Sequence, residues 1–200
     1  KAGMIQGDRI IKVGEKTIAG TRTPQDSMVR LMKGPSGSKV KLMVNRGGSL
    51  IPFELTRDKI PVHCIDAAFM LDDTTGYIKL SKFSRTTSKE FEEASEKLLS
   101  RGMTRLIFDL RDNTGGYLDQ SLRLSNEFLS EGDGIVYMEG RERPRQDFNA
   151  DGRGSLKDIS LSVLINDGSA SSSEIFAGAI QDNDRGVIVG RRSFGKGLVQ

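Results

Sequence analysis

The chain has 200 residues, 36% of them hydrophobic and 28% charged, and a net charge of +3. That is a globular composition, long enough to bury one or two cores. Lysines and arginines are scattered among acidic residues, with no basic stripe interleaved with aromatics, which argues against a nucleic-acid-binding surface. The single cysteine, Cys64, excludes an internal disulfide and a cysteine-based zinc site. The single histidine, His63, lies in KIPVHCIDAAF, which reads as a strand or linker, and His63 reads as structural. There is no signal peptide and no apolar run of membrane-spanning length. The opening KAGMIQGDRII starts in the middle of a pattern and reads as part of a longer chain.

Residues 1–57 read as one unit. GDRIIKVGEKTI predicts two short strands about a turn at Gly14. TPQDSMVRLMKG predicts a helix with Thr23 as N-cap, Pro24 at the first helical position and Gly34 past its end. Val40, Leu42 and Val44 then alternate with polar residues. Ile51, Phe53 and Leu55 do the same beyond RGGS, so the two runs predict an antiparallel hairpin with one buried face.

Residues 58–200 read as a second, mixed α/β unit. YIKLSKF predicts a strand. TSKEFEEASEKLLSRG predicts a helix with a Thr87–Glu90 capping box, closed by Gly102. RLIFDL predicts a buried strand, and GGYLDQSLRLSNEFLSEG a helix with Leu118, Leu122 and Leu129 on one face. GIVYMEG and LSVLIND predict strands, SSSEIFAGAIQDN a helix, and GVIVG the last strand.

Two stretches carry candidate chemistry. GRRSFGKG fits most of the phosphate-loop pattern, but Gly197 stands where the Mg²⁺-binding hydroxyl belongs, and GLVQ does not open a long helix. Upstream, INDGSASSSEIF sets small hydroxyl residues between a strand and a helix. A serine there meets the positive end of the helix dipole and free first-turn amides. It needs a base. A lysine buried by Phe194 and flanked by glycines would serve, since desolvation disfavours its charged form. Such serines are also ordinary N-caps. Residue types alone leave a Ser–Lys dyad and simple capping both open.

The string DGSASSSEIFAGAIQDNDRGVIVGRRSFGKGLVQ resembles the signature of the C-terminal processing peptidases, the tail-specific proteases. The resemblance implies Ser171 as nucleophile, Lys196, 25 residues on, as general base, and Gln200 as the residue that orients the lysine. Ser193 stands where the family usually has threonine, and Ser169 and Ser173 read as packing or capping residues. FDLRDNTGG resembles the family's Gly-Gly turn. That implies an oxyanion hole from the amide of Gly116, or of Gly115, with that of Ser172, and Arg111 and Asn113 as braces. Residues 1–57 resemble a PDZ domain lacking its carboxylate-binding loop, with Met28 and Leu31 as groove-lining candidates. The implied fold is a partial PDZ domain followed by an α/β, ClpP/crotonase-like peptidase core.

The resemblance implies a serine endopeptidase that cleaves protein substrates near their free C-termini. It implies no metal or cofactor, and work in the periplasm or cell envelope. The alternatives are a non-catalytic PDZ scaffold with a silent peptidase fold and a phosphate-loop NTPase. DFNADGRGSLKD mimics a calcium loop through Asp147, Asn149, Asp151, Gly152 and Asp158. Asp158 replaces the bidentate glutamate, and Pro144 forbids an entering helix, so it reads as a solvated turn.

Overall fold

The computed structural model describes residues 3–58 and 63–198. The chain forms two compact units, Lys1–Val62 and His63–Gln200. The second therefore starts a few residues beyond the expected division at 57/58.

The first unit is a four-stranded antiparallel sheet with one helix. Its elements are β1 (Arg9–Val13), β2 (Lys16–Thr17), α1 (Gln25–Met32), β3 (Lys39–Arg46) and β4 (Ser49–Thr56), in the sheet order β2-β1-β3-β4. Val40, Leu42 and Val44 of β3 are buried, as their alternation predicts. Met28, Leu31 and Met32 of α1 pack against the same core. The helix starts one residue later than its sequence suggests. Pro24 has ψ 145, so it stands outside the helix, and its carbonyl accepts the N–H groups of Ser27 and Met28. Thr23 caps nothing; its hydroxyl pairs with that of Thr21. At the other end, the Arg57 guanidinium donates to the carbonyls of Leu31 and Met32, which the helix leaves open.

The second unit carries a five-stranded sheet, order β11-β10-β7-β6-β5. Its strands are β5 (Ile65–Met70), β6 (Thr75–Leu80), β7 (Arg105–Asp109), β10 (Ser160–Ile165) and β11 (Val187–Gly190). All neighbours are parallel except the β5–β6 pair. The helices are α2 (Thr87–Leu99), α3 (Leu118–Asn126) and α4 (Ser172–Asp182); a two-stranded ribbon, β8 (Gly134–Gly140) and β9 (Arg143–Asn149), stands apart.

Ile78, Leu80, Leu106, Phe108, Leu161 and Val163 of the strands join Phe91, Leu98, Leu124, Phe176 and Ile180 of the helices in one buried core. Within it, Phe91, Phe108, Phe176 and Phe128 meet edge to face, with centroids 5.1–5.9 Å apart. This cluster seats α4 against β7. Among the described residues no helix is long and apolar enough to cross a membrane.

Two local expectations change here. Thr87 is not the N-cap of α2. Thr86 holds that position and its hydroxyl donates to Glu90, while Thr87 Oγ1 accepts the Ser84 N–H and Glu90 also accepts the N–H groups of Cys64 and Ile65. In α3 the fully buried residues are Gln120, Ser121, Leu124 and Ser125; of the expected leucines, Leu122 is partly buried against the core, Leu118 is only partly buried, and Leu129, fully buried, lies beyond the helix end. Small serines let α3 approach α4 closely, and Ser121 satisfies its hydroxyl on the Leu118 carbonyl.

Candidate active site

Three connections leave the carboxyl ends of β7, β10 and β11, the edge of an open parallel sheet where ligands usually bind. The connection after β10 turns sharply into α4 at Ser171. Ser171 has φ 56 and ψ −116, a backbone conformation that costs a non-glycine residue about 1–3 kcal/mol. That turn sets the residue at the helix N-terminus, where partial positive charge and free amides converge.

The connection after β7 holds this elbow in shape. The Ala170 N–H and the Ser173 hydroxyl both donate to the Asn113 carbonyl. The Ser169 hydroxyl donates to the Leu110 carbonyl, and the Ser172 hydroxyl to the Gly116 carbonyl. Ser169 and Ser173 are fully buried, so they knit two loops together. Asn113 is buried as well, donating to the Leu80 carbonyl and accepting the Gly115 N–H.

Gly115 and Gly116 must be glycine. Their φ values are 96 and 150, and a Cβ would lie 2.7 Å from the Ala170 carbonyl oxygen in the first case and 2.0 Å from that of Phe83 in the second. Beside them, the amides of Gly116 and Ser172 have no hydrogen-bond partner among the described residues.

Below the turn sits a buried carboxylate, Asp109. It accepts three nitrogens of Arg111, the backbone N–H, Nε and Nη2, and the Tyr77 hydroxyl, the last at 2.6 Å. Burial works to raise its pKa, but the hydrogen bonds from Arg111 and Tyr77 outweigh that and hold it below the usual carboxylate range.

The connection after β11 brings Lys196 to the same place, through a residue the sequence reading did not single out. Glu174, in the first turn of α4, accepts the Ser171 N–H at 2.8 Å and the Lys196 N–H at 2.9 Å on one carboxylate oxygen. Its other oxygen accepts the Ser193 hydroxyl and the Gly195 N–H, each at 2.7 Å. Partial burial alone would raise the Glu174 pKa; the donors from Ser193, Lys196, Gly195 and Ser171 reverse this and lower it. The S-x-x-E spacing of Ser171 and Glu174 is the sequence signal that could have found it.

The lysine is not buried as expected. Lys196 is exposed, its ammonium has no hydrogen-bond or ion-pair partner among the described residues, and Phe194 is 69% exposed. The glycines on either side remove the side chains that could have covered it, and Phe194 points outward. Gln200 lies outside the described residues. Met28 and Leu31 lie in the other unit, partly buried against its core.

In the calcium-like loop, Asp147 and Asn149 belong to β9, and Asp147 pairs with Arg145. The Asp151 carboxylate accepts Asn126 Nδ2 and the Arg153 N–H. No group of three or more potential metal ligands gathers among the described residues.

The sequence model described as Peptidase family S41 matches residues 74–200. The carboxy-terminal processing protease CtpA of Bacillus subtilis is 36% identical over 201 residues, covering 100% of this chain and 42% of that protein. A probable CtpA-like serine protease of Staphylococcus saprophyticus is 34% identical, covering 100% of this chain and 40% of its own length. The chain thus spans about two fifths of the length of these curated relatives. Among solved structures, a photosystem II D1 C-terminal processing protease superimposes with a TM-score of 0.65 at 28% identity, over 100% of this chain and 55% of that one. A putative S41 protease from Bacteroides fragilis shares the fold, with a TM-score of 0.57 at 17% identity over 97% of this chain and 56% of that one.

Proposed function

This chain belongs to peptidase family S41, and we propose that it forms part of a serine endopeptidase that cleaves proteins near their C-termini. The observation that carries the reading is the Glu174 carboxylate, which ties the backbone of Ser171 to that of Lys196 beside two unused amides.

In this mechanism Ser171 Oγ attacks the scissile carbonyl carbon while Lys196 takes the hydroxyl proton. The carbonyl oxygen becomes an oxyanion held by the amides of Gly116 and Ser172. The C–N bond then breaks, and the protonated lysine gives its proton to the leaving amine. Water, deprotonated by Lys196, releases the acyl group from Ser171. Gln200 would hold the lysine in line, and a substrate seated over the lysine would supply the desolvation that the exposed side chain lacks. Preorganised donors in such a hole contribute about 3–4 kcal/mol to the transition state.

The first unit would serve as a PDZ-type module for substrate C-termini, taking a peptide by strand addition. Met28 and Leu31 of α1 would line the groove where they emerge from the core. The names of the relatives support this reading: the B. subtilis and photosystem II proteins are called C-terminal processing proteases.

The exposure of Lys196 and its lack of a bond to Ser171 favour a second reading, a peptide-binding scaffold with a silent catalytic fold. One experiment separates the two. The full-length parent and its Ser171→Ala and Lys196→Ala variants are given an unfolded protein with an apolar C-terminus. The peptidase reading expects cleavage by the parent and loss of it in both folded variants. No cleavage by the parent supports the scaffold, and undiminished cleavage by either variant removes the proposed dyad.

A further inference from the structure

A polar cavity of about 390 Å³ opens at the carboxyl ends of β6, β7, β10 and β11, next to the two loops that build the Ser171 elbow. Lys79, Arg111 and Arg191 line it, with Asp112 and Asn166 on its wall. Of these cations Arg111 is ion-paired with Asp109 and Arg191 lies 3.8 Å from Asp167, which leaves Lys79 without an ion-pair partner among the described residues.

The cations have donors to spare. Lys79 alternates with the buried Ile78 and Leu80 and so projects from the sheet face opposite the helices. It is half-buried, yet its ammonium has no hydrogen-bond or ion-pair partner among the described residues. Arg111 uses Nε and Nη2 on Asp109, which leaves Nη1 open. Arg191 reaches only Asp167, at 3.8 Å, and both side chains are largely exposed.

The single anion on the wall is already engaged. The Asp112 carboxylate accepts Asn166 Nδ2, while Asn166 Oδ1 accepts the Asp112 N–H. A half-buried ammonium whose hydrogens have no acceptor is costly, and a ligand carboxylate that accepts them removes that cost. Guanidinium donors match a carboxylate in particular, because both groups are planar.

We propose that this cavity binds a carboxylate through Lys79, Arg111 and Arg191, and that the carboxylate belongs to the peptide being processed. The second half rests on the peptidase reading. The first rests on the cavity and its donors. A carboxylate held here anchors the peptide beside the elbow, independently of the first unit. Its source is either the peptide's C-terminus or an acidic side chain.

The test uses the full-length parent carrying Ser171→Ala, which prevents turnover, and measures binding by fluorescence anisotropy. The probe is a labelled peptide with an apolar C-terminus, prepared as the free acid and as the C-terminal amide. Lys79→Met and Arg191→Gln are added, singly and together; both preserve the stem of the side chain, and thermal melts check the fold. The double variant is expected to raise Kd for the free acid by about tenfold or more.

If the amide binding is indifferent to the substitutions, the C-terminal carboxylate is the ligand. If both peptides weaken, and the loss vanishes once the probe's acidic side chains become amides, a side-chain carboxylate is the ligand. Unchanged Kd for both peptides overturns the proposal, as does a loss that survives removal of every carboxylate. Cleavage by the active parent is scored separately, so a failed peptidase reading does not masquerade as an empty cavity.

Discussion

The backbone N–H groups of Ser171 and Lys196 donate to the same oxygen, Oε2 of Glu174, at 2.8 and 2.9 Å. Two residues separated by a helix and a strand are thereby held by one carboxylate. Hydrogen bonds to a charged acceptor contribute about 1.5–3 kcal/mol each. On the proposed mechanism, Glu174→Ala should lower kcat of the full-length parent by about a hundredfold, the scale of a misplaced catalytic group, with little change in KM. Glu174→Gln should recover only part of this, because its amide nitrogen would face N–H and O–H donors. Steady-state kinetics with a peptide substrate checks both.

The same carboxylate sets a pH dependence. Its pKa in the folded chain is lowered from 4.5. Its stabilising contribution is therefore complete above the ordinary value and is lost as pH falls through the lower, folded value. Protection factors for amide exchange at Ser171 and Lys196 should stay high at neutral pH and fall on acidification below the usual glutamate range. In Glu174→Gln that acid step should be absent. An equal step in both proteins would show that another group controls the loop.

Ser193 donates to Glu174 at 2.7 Å, so the position needs a hydroxyl rather than serine as such. Ser193→Thr should retain activity. Ser193→Ala should lose roughly three- to tenfold, the effect of one hydrogen bond of about 1 kcal/mol. Parallel kcat measurements on the two variants decide it.

The glycines differ sharply in what they tolerate. Gly116→Ala sets a Cβ against the Phe83 carbonyl oxygen and should cost about 3 kcal/mol or more, with loss of activity. Gly178, within α4, has open space where its Cβ would be. Gly178→Ala should stabilise by about 0.5–1 kcal/mol and leave activity intact. Urea unfolding of both variants tests the contrast.

Arg185 donates to the carbonyls of Phe128, Leu156 and Ile159, joining three stretches of chain with one guanidinium. Arg185→Met should leave those carbonyls unsatisfied, at a cost of about 3 kcal/mol. For a chain of this size that lowers Tm by roughly 6–12 °C. Arg185→Lys, with a compact ammonium in place of the fork, should fall between.

Most elements were legible because their signals are local. The alternation in β3 and β4, the apolar strand β10 and the small-residue turn into α4 all follow from side-chain periodicity and turn chemistry. The Ser171–Lys196 spacing marks two stretches whose backbones the fold brings together on Glu174. Helix starts were less legible. Thr23 and Thr87 each have the right chemistry for a cap, but the Pro24 dihedral and the Ser84 N–H gave them other positions. In α3 the leucines were legible but Ser121 and Ser125 were not, because their burial depends on the close approach of α4. Glu174 went unnoticed because its partners at Ser193, Gly195 and Lys196 come together only after β11 has paired with β10. The expected burial of Lys196 failed for a related reason, since a side chain's solvation depends on what folds over it and not on its immediate neighbours.

The backbone conformation of Ser171 makes alanine and glycine unequal substitutes there. Alanine at that position removes the hydroxyl but keeps the unfavourable torsion, whereas glycine adopts φ 56 and ψ −116 freely. A Ser171→Gly protein would be more robust than its parent and, on the proposed mechanism, silent. The proposed nucleophile's position is thus also a standing weakness of the scaffold, and on that mechanism thermal resistance gained there would accompany loss of the chemistry.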